Sequence, residues 1–110
     1  MADLDDLKER LRDFATARDW EQFHTPKNLA MALVAEAAEV VEHFQWLTPP
    51  ESEALDPSKR AEVALELADV LLYLVMLADS LDIDLVAVAH RKININEKRF
   101  PPSPFPQEQQ

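Results

Sequence analysis

Apolar residues along the chain recur at intervals of three and four, which is the spacing of one face of an α-helix. The first such segment runs from Leu4 to about Trp20, and the second runs from Pro26 to about Trp46. A third extends from Pro57 to about Leu81, and a fourth follows Asp84 and reaches about Phe100. The pattern predicts an all-α fold: a four-helix bundle-like subunit that forms a single domain over residues 1–100.

The starts of these segments carry residues typical of helix N-termini. Thr25-Pro26 and Asp56-Pro57 each place a capping side chain before a proline, whose missing N–H is not needed at the first helical position. Asp3 and Asp84 are suitable caps for the first and fourth helices. Thr48-Pro49-Pro50 is expected to end the second helix, after which a polar connection leads to the third.

The third predicted helix is apolar on nearly every side. A helix of this kind must be buried on every side, and four short helices in one subunit can hardly enclose it. We therefore expect a homo-oligomer; the alternative is a compact monomeric bundle with this helix at its centre. The apolar positions are Val63, Leu65, Leu67, Val70, Leu71, Leu72, Leu74, Val75, Met76 and Leu77.

The composition excludes several classes of protein. The 110 residues include 21 acidic and 11 basic side chains, for a formal net charge of −10, and neither glycine nor cysteine. Glycine-dependent phosphate loops, disulfides and thiolate metal sites are therefore excluded. The acidity argues against nucleic acid or an anionic membrane as a partner, because both reward clustered positive charge.

The start of the sequence and its apolar runs indicate where in the cell the protein is located, and its end predicts a tail. We find no basic-then-apolar leader at the start and no apolar run near the roughly 20 residues of a membrane span, so we expect a soluble, cytoplasmic protein. Residues 101–110 are proline-rich and then polar, and they are predicted to form an extended C-terminal tail.

Two pairs of acidic residues interrupt the apolar helices. Glu36 and Glu39 lie three apart in the second helix, and Glu66 and Asp69 lie three apart in the third, so each pair projects from one helix face. If the two helices pack side by side, the four carboxylates form a hard-oxygen pocket suited to Mg²⁺, with Mn²⁺ as a substitute. A solvent-exposed acidic face is the alternative. A di-iron bundle would need Glu-x-x-His on two helices, whereas this spacing occurs once, at Glu21-x-x-His24.

The order of these motifs resembles a known superfamily. The acidic pairs, together with Trp20-Glu21-Gln22-Phe23-His24 before them and Phe44-Gln45-Trp46 at the end of the second helix, are similar to the MazG-like all-α nucleoside triphosphate pyrophosphohydrolases. The branch that they resemble is that of the dCTP pyrophosphatases. The resemblance covers about residues 4 to 101 and includes the closing segment from Lys92 to Pro101. Ala35 and Ala38 stand where close relatives usually have glycine, a change that a helix tolerates well.

The resemblance implies roles for individual residues. Glu36, Glu39, Glu66 and Asp69 would bind Mg²⁺, which would hold a triphosphate and activate water for attack on the α-phosphorus. Glu39 is the first candidate for the general base and Glu36 the second. The residues expected to recognise the base are Trp20, His24, Trp46, Tyr73 and Asn96.

The fourth helix adds an argument that does not depend on the resemblance. Lys92, Asn96 and Arg99 are spaced four and three apart, so they share one face, and a basic face in an acidic protein suits phosphate oxygens. The alternative, cations that complement the helix macrodipole, accounts for Lys98 and Arg99 but poorly for Lys92.

The sequence therefore predicts an Mg²⁺-dependent hydrolase that converts dCTP, or a modified pyrimidine relative, to the monophosphate and pyrophosphate. The near alternative is a dUTP or broad-range nucleoside triphosphate hydrolase of the same superfamily. From a different class, the chain could be a non-catalytic helical module for oligomerisation or partner binding. The expected partners are the nucleotide and further copies of the chain, as a dimer or, by resemblance, a tetramer.

Overall fold

The helices lie close to where the hydrophobic pattern places them. The computed structural model describes residues 3–103, and within that range the secondary structure is helical, with no strand. The helices are α1 (Leu4–Ala17), α2 (Pro26–Phe44), α3 (Pro49–Ser52), α4 (Pro57–Ser80) and α5 (Leu85–Arg99), with a 3₁₀ turn at Glu21–Phe23 between α1 and α2. The all-α prediction is confirmed.

Side-chain caps begin each long helix, as the sequence predicts. The Asp3 carboxylate accepts hydrogen bonds from the backbone N–H groups of Asp5 and Asp6. Asp56 accepts one from the N–H of Lys59 at 2.8 Å, and Thr25 and Asp84 make the equivalent contacts at the starts of α2 and α5. These acceptors satisfy N–H groups that have no partner within the helix.

The prediction of four helices is wrong by one. Where a polar connection was expected, Thr48 and Glu51 form a capping box: each side chain accepts a hydrogen bond from the other residue's backbone N–H. With Pro49 at the first helical position, this is enough to fold the single turn of α3. The connection between α2 and α4 therefore contains a helical turn.

Two aspartates end helices in the place that glycine usually takes. Asp19 and Asp82 have φ of 55° and 56°, in the left-handed region. After α1, the N–H of Trp20 donates to the carbonyl of Ala15, and the equivalent bond after α4 joins Ile83 to Ala78. These are Schellman turns, which stop both helices. The first explains why α1 ends at Ala17 and not at the predicted Trp20.

Helix α4 is the centre of the subunit, with α2 packed along it and α1 against it. Arg12 of α1 forms an ion pair with Asp79 of α4, with 2.8 Å between Arg12 Nε and Asp79 Oδ2. Among the described residues few side chains are fully buried, namely Ala15, Leu29, Val63, Val75 and Ala78.

Helix α5 makes only marginal contact with the other helices and has no buried residue. The radius of gyration is 17.5 Å, against about 13 Å for a compact domain of this length. Large apolar side chains are exposed on α2, α4 and α5, including Val34 at 69% and Leu65 at 70%. The described chain is therefore an open arrangement that leaves much of its apolar surface in solvent.

No helix in the described range has the length and apolar character needed to cross a membrane. Residues 101–103 are exposed and have no regular secondary structure. The rest of the predicted tail, residues 104–110, lies outside the described residues.

Candidate functional site

The packing of α2 against α4 brings carboxylates from both helices together. Glu36 and Glu39 project from α2 and Glu66 projects from α4, and one oxygen of each lies within 4.8 Å of the others. The three-residue spacing on α2 places its two carboxylates about one turn apart on the face that meets α4. We call these three residues the carboxylate cluster.

The cluster is partly withdrawn from water. Glu36 and Glu66 are half-buried, and one carboxylate oxygen of each, Oε2, is buried with no hydrogen-bond partner among the described residues. Glu39 is exposed. A buried acceptor without a partner is costly, and more so when it is charged and faces like charges.

The electrostatic effect of this arrangement is greatest at Glu36. Burial of its carboxyl, followed by the hydrogen bond and the negative charge of Glu39, raises the pKa of Glu36 to about 7 from its ordinary 4.5. The pKa of Glu66 is also raised, first by its hydrogen bond with Glu39 and then by burial. Glu36 and Glu66 therefore hold their protons to a higher pH than an isolated glutamate does.

A divalent cation fits this site. The ligand atoms are all carboxylate oxygens, the hard donors that Mg²⁺ and Mn²⁺ prefer over zinc or copper. A cation would also provide a partner for Glu36 Oε2 and Glu66 Oε2 and would offset the cost of burying charged carboxylates beside one another.

Asp69, the fourth predicted ligand, lies next to the cluster but outside it. It is exposed, and its oxygens do not fall within the distance that groups the other three. Its negative charge nevertheless contributes to the raised pKa of Glu36 and of Glu66. Asp69 thus stands at the edge of the cluster, on the side that opens into a cleft.

This cleft, which we call the aromatic cleft, has a volume of about 530 Å³ and lies between α1 and α4. Trp20 meets Phe14 edge to face with 5.5 Å between ring centroids, and the His24 ring lies 6.4 Å from Trp20 on another side. Such a cleft, apolar with a few polar groups, suits a flat heteroaromatic ligand. Its lining residues are Leu7, Arg10, Leu11, Phe14, Trp20, His24, Asp69, Leu72, Tyr73 and Met76.

The 3₁₀ turn between α1 and α2 holds Trp20 and His24 in place. The side-chain amide of Asn28 donates to the carbonyl of Phe23 at 2.9 Å, which ties the turn to the start of α2. At the other end, the Thr16 hydroxyl donates to the Glu21 carboxylate at 3.1 Å. Both aromatic rings therefore project from backbone that is fixed at each side.

Four predicted site residues lie apart from the cleft within this chain. Trp46 follows the end of α2, is 87% exposed and does not line the cleft. Lys92, Asn96 and Arg99 lie on α5, and none of them lines it either; the Arg99 guanidinium instead lies 5.0 Å from the ring centroid of Phe100. Trp20, His24, Asp69 and Tyr73 are the predicted residues that one chain brings together here.

Phe14 and Arg10 are among the cleft residues that the sequence did not identify as site residues. The sequence pattern predicts no site role for either residue. Their spacing in the sequence indicates that they share a helix face with Leu7. Arg10 and Phe14 are four residues apart, and Leu7 is three before Arg10, so all three lie on one face of α1. That this face meets α4 beside Asp69 depends on tertiary packing.

Known proteins are similar to this chain in both sequence and fold. The human and mouse proteins named dCTP pyrophosphatase 1 are each 45% identical to this chain over 100 residues, which are 89% of this chain and 59% of each relative. The chain thus spans less than two thirds of the length of these curated relatives. A crystal structure of a pyrophosphatase from Archaeoglobus fulgidus superimposes with a TM-score of 0.86 at 37% identity, covering 93% of this chain and 95% of that one.

The family assignment follows from the sequence profile of the MazG-like family, which matches residues 31–105. The matched region begins just before the first acidic pair, and it includes all three members of the carboxylate cluster. The resemblance found in the motifs is thereby confirmed, and the chain belongs to the MazG-like family.

Proposed function

We propose that this protein hydrolyses dCTP, or a related pyrimidine deoxynucleoside triphosphate, to the monophosphate and pyrophosphate in the presence of Mg²⁺. The observation that carries the proposal is the carboxylate cluster beside the aromatic cleft, with two buried oxygens that have no hydrogen-bond partner in the described part of the chain. The relatives named dCTP pyrophosphatase 1 support the choice of nucleotide, although the chain matches only part of their length.

The cluster would hold the metal and thereby the triphosphate. Glu36, Glu39 and Glu66 are its ligands in this proposal, with Asp69 as the fourth, and Mn²⁺ can substitute for Mg²⁺. A bound divalent cation supplies Lewis-acid polarisation of phosphate oxygens and lowers the pKa of a water that it binds. Because the protein has a net charge of −10, positive charge at this site is needed before a triphosphate can approach.

The carboxylates also provide the proton acceptor. Glu39 is exposed, whereas Glu36 is half-buried, so Glu39 has the freer access to a water beside the α-phosphorus. We propose Glu39 as the general base, with Glu36 as the second candidate. Attack of this water on the α-phosphorus releases pyrophosphate.

The aromatic cleft would bind the base. Trp20 and Tyr73 offer ring faces for stacking, and the His24 ring can contact a polar edge of the base. Asp69 borders both the cleft and the cluster, so a nucleotide whose base enters the cleft directs its phosphates towards the carboxylates.

We further propose that the protein is a homo-oligomer, a dimer or a tetramer. The open packing of α5 and the exposed apolar residues of α2 and α4 support this proposal. In such an assembly Trp46 and the α5 residues Lys92, Asn96 and Arg99 can contribute to the base and phosphate sites from a neighbouring subunit. The cytoplasmic location expected from the sequence stays a prediction.

The activity is tested with a panel of canonical and modified nucleoside triphosphates and Mg²⁺, with pyrophosphate and orthophosphate assayed separately. We expect pyrophosphate and monophosphate in equal amounts, with dCTP or a modified dCTP as the preferred substrate. Orthophosphate without pyrophosphate would contradict attack on the α-phosphorus, and a strong preference for dUTP would support the alternative within the superfamily. A protein that shows no turnover and no Mg²⁺-dependent thermal shift with nucleotides would be the non-catalytic helical module.

A further inference from the structure

Arg10 is a cation without a partner at the edge of the aromatic cleft. Of the residues that line the cleft it is the only lysine or arginine, and within the described chain its guanidinium makes no hydrogen bond or ion pair. The neighbouring arginines are engaged: Arg12 of the same helix pairs with Asp79, and Arg18, which directly follows the helix, lies over the ring of Phe14 at 3.6 Å. Arg10 is therefore free to bind a ligand in the cleft.

The packing of α1 on α4 places Arg10 away from the carboxylate cluster. The two helices run antiparallel, since Arg12 meets Asp79 while Phe14, later in α1, shares the cleft with Leu72, earlier in α4. Asp79 lies about 15 Å further along α4 than Asp69, at the α-helical rise of 1.5 Å per residue. Arg10, two residues before Arg12, thus lies towards the end of the cleft that is distant from Asp69.

This position suits a contact with the base and not with the phosphates. A nucleotide whose phosphates lie at the cluster end must extend its base past Asp69 and between the aromatic side chains. The pairing edge of the base then faces the distant end, where Arg10 lies. The apolar residues Leu72 and Met76 line the intervening cleft, and Arg10 is exposed at its edge.

A guanidinium at this edge distinguishes cytosine from uracil. Cytosine presents two adjacent hydrogen-bond acceptors, O2 and N3, which match the parallel N–H donors of arginine. Uracil carries a hydrogen on N3, so a donor would face a donor. Arginine has no acceptor with which to accommodate it.

We propose that Arg10 is a specificity-determining residue that selects cytosine over uracil by donating two hydrogen bonds to O2 and N3 of the base. The inference rests on the proposed function and refines it. The sequence motifs do not assign this role to Arg10.

The test compares kcat/KM for dCTP and dUTP in the wild type and in Arg10→Met, which keeps an unbranched side chain and removes the donors. We expect kcat/KM for dCTP to fall about tenfold or more, the discrimination typical of a lost bidentate contact to a base. The value for dUTP should rise, because the opposed donors are gone. Arg10→Lys, which keeps the charge without the planar fork, should give an intermediate ratio.

Arg60→Met is the matched control, since Arg60 is exposed in the first turn of α4 and lines none of the cleft; its dCTP-to-dUTP ratio should equal that of the wild type. Because both substrates are measured on one preparation, the ratio does not depend on the fraction of folded enzyme. An Arg10→Met ratio equal to that of the wild type would overturn the inference, whether both rates fall together or neither changes. A wild type that hydrolyses neither nucleotide would instead refute the proposed function.

Discussion

Glu36 combines two conditions that rarely occur in one carboxyl group, a buried oxygen without a partner and close negative neighbours. Each condition raises the free energy of the ionised form in the absence of a cation. The same two conditions make the site favourable for Mg²⁺. The Glu36 carboxylate thus destabilises the metal-free protein, and the proposed activity requires the same carboxylate.

We predict that Glu36→Gln abolishes turnover with Mg²⁺ and raises the melting temperature of the metal-free protein by a few degrees. The native state holds a proton on Glu36 up to a pKa of about 7, whereas the unfolded chain releases it near 4.5. The free energy of unfolding of the wild type therefore falls as the pH rises between these values. The glutamine variant has no such carboxyl group and does not lose stability in this way. The gain should be largest above the folded pKa and should vanish below the unfolded one.

Glu42→Gln is the control for this prediction. Glu42 lies on the same helix and is exposed, and it is not a member of the carboxylate cluster. Calorimetry in the presence of a chelator, over a range of pH, should show no comparable gain for this variant. If Glu36→Gln proves less stable than the wild type at high pH, the carboxylate was not under electrostatic strain.

At the level of single residues, sequence reasoning identified the cluster but not the full cleft. Helical periodicity fixes the common face of Glu36 and Glu39, and their approach to Glu66 was expected on the condition that the two helices pack side by side. Arg10 and Phe14 have the same periodicity, but nothing local tells which residues of α4 they meet. That information resides in the antiparallel packing of α1 on α4.

At the scale of elements, the caps determined most of the helix boundaries. Asp56 and Thr25 were identified as the residues before α4 and α2, and both make the expected hydrogen bonds. Helix α3 was missed because its signal is a reciprocal pair, Thr48 with Glu51, next to two prolines that were read only as a stop. The end of α1 was misplaced because Asp19 adopts the left-handed conformation, which is uncommon outside glycine.

We predict that Asp56→Ala destabilises the protein by about 1 kcal/mol, the usual cost of removing an N-cap acceptor. The N–H of Lys59 would lose its partner at the start of the helix that carries Glu66. Asp56→Asn, which keeps an acceptor oxygen, should differ from the wild type by much less. Chemical denaturation at one protein concentration measures both, and equal losses for the two variants would show that the charge, and not the cap, is responsible.

At the scale of the whole molecule, the described chain leaves many large apolar side chains exposed. Only small or aliphatic residues are buried among those described, while Leu65, Leu67 and Val34 lie in solvent. The hydrophobic pattern predicts this exposure of apolar side chains, because α4 is apolar on nearly every side. The number of subunits in the proposed oligomer depends on surface shape, which the hydrophobic pattern does not encode.

We predict that the protein in solution has a mass that is a multiple of the 12.6 kDa chain, and that Leu65→Glu shifts it towards the monomer. Leu65 is 70% exposed in the single chain, and a carboxylate there would be buried without a partner in the assembly. Ser58→Glu, an exposed change in the first turn of the same helix, is the control and should keep the native mass. Light scattering coupled to size exclusion measures this, and a wild-type monomer would contradict the prediction.

The left-handed conformation of two aspartates restricts which residues can replace them. Asp19 and Asp82 are exposed, and surface positions of this kind usually accept almost any polar residue. Here the backbone favours glycine, asparagine and aspartate, because other residues cost about 1–2 kcal/mol more in that conformation. At these two turns the dihedral angle, and not exposure, therefore decides which substitutions are tolerated, and β-branched residues should be the least tolerated.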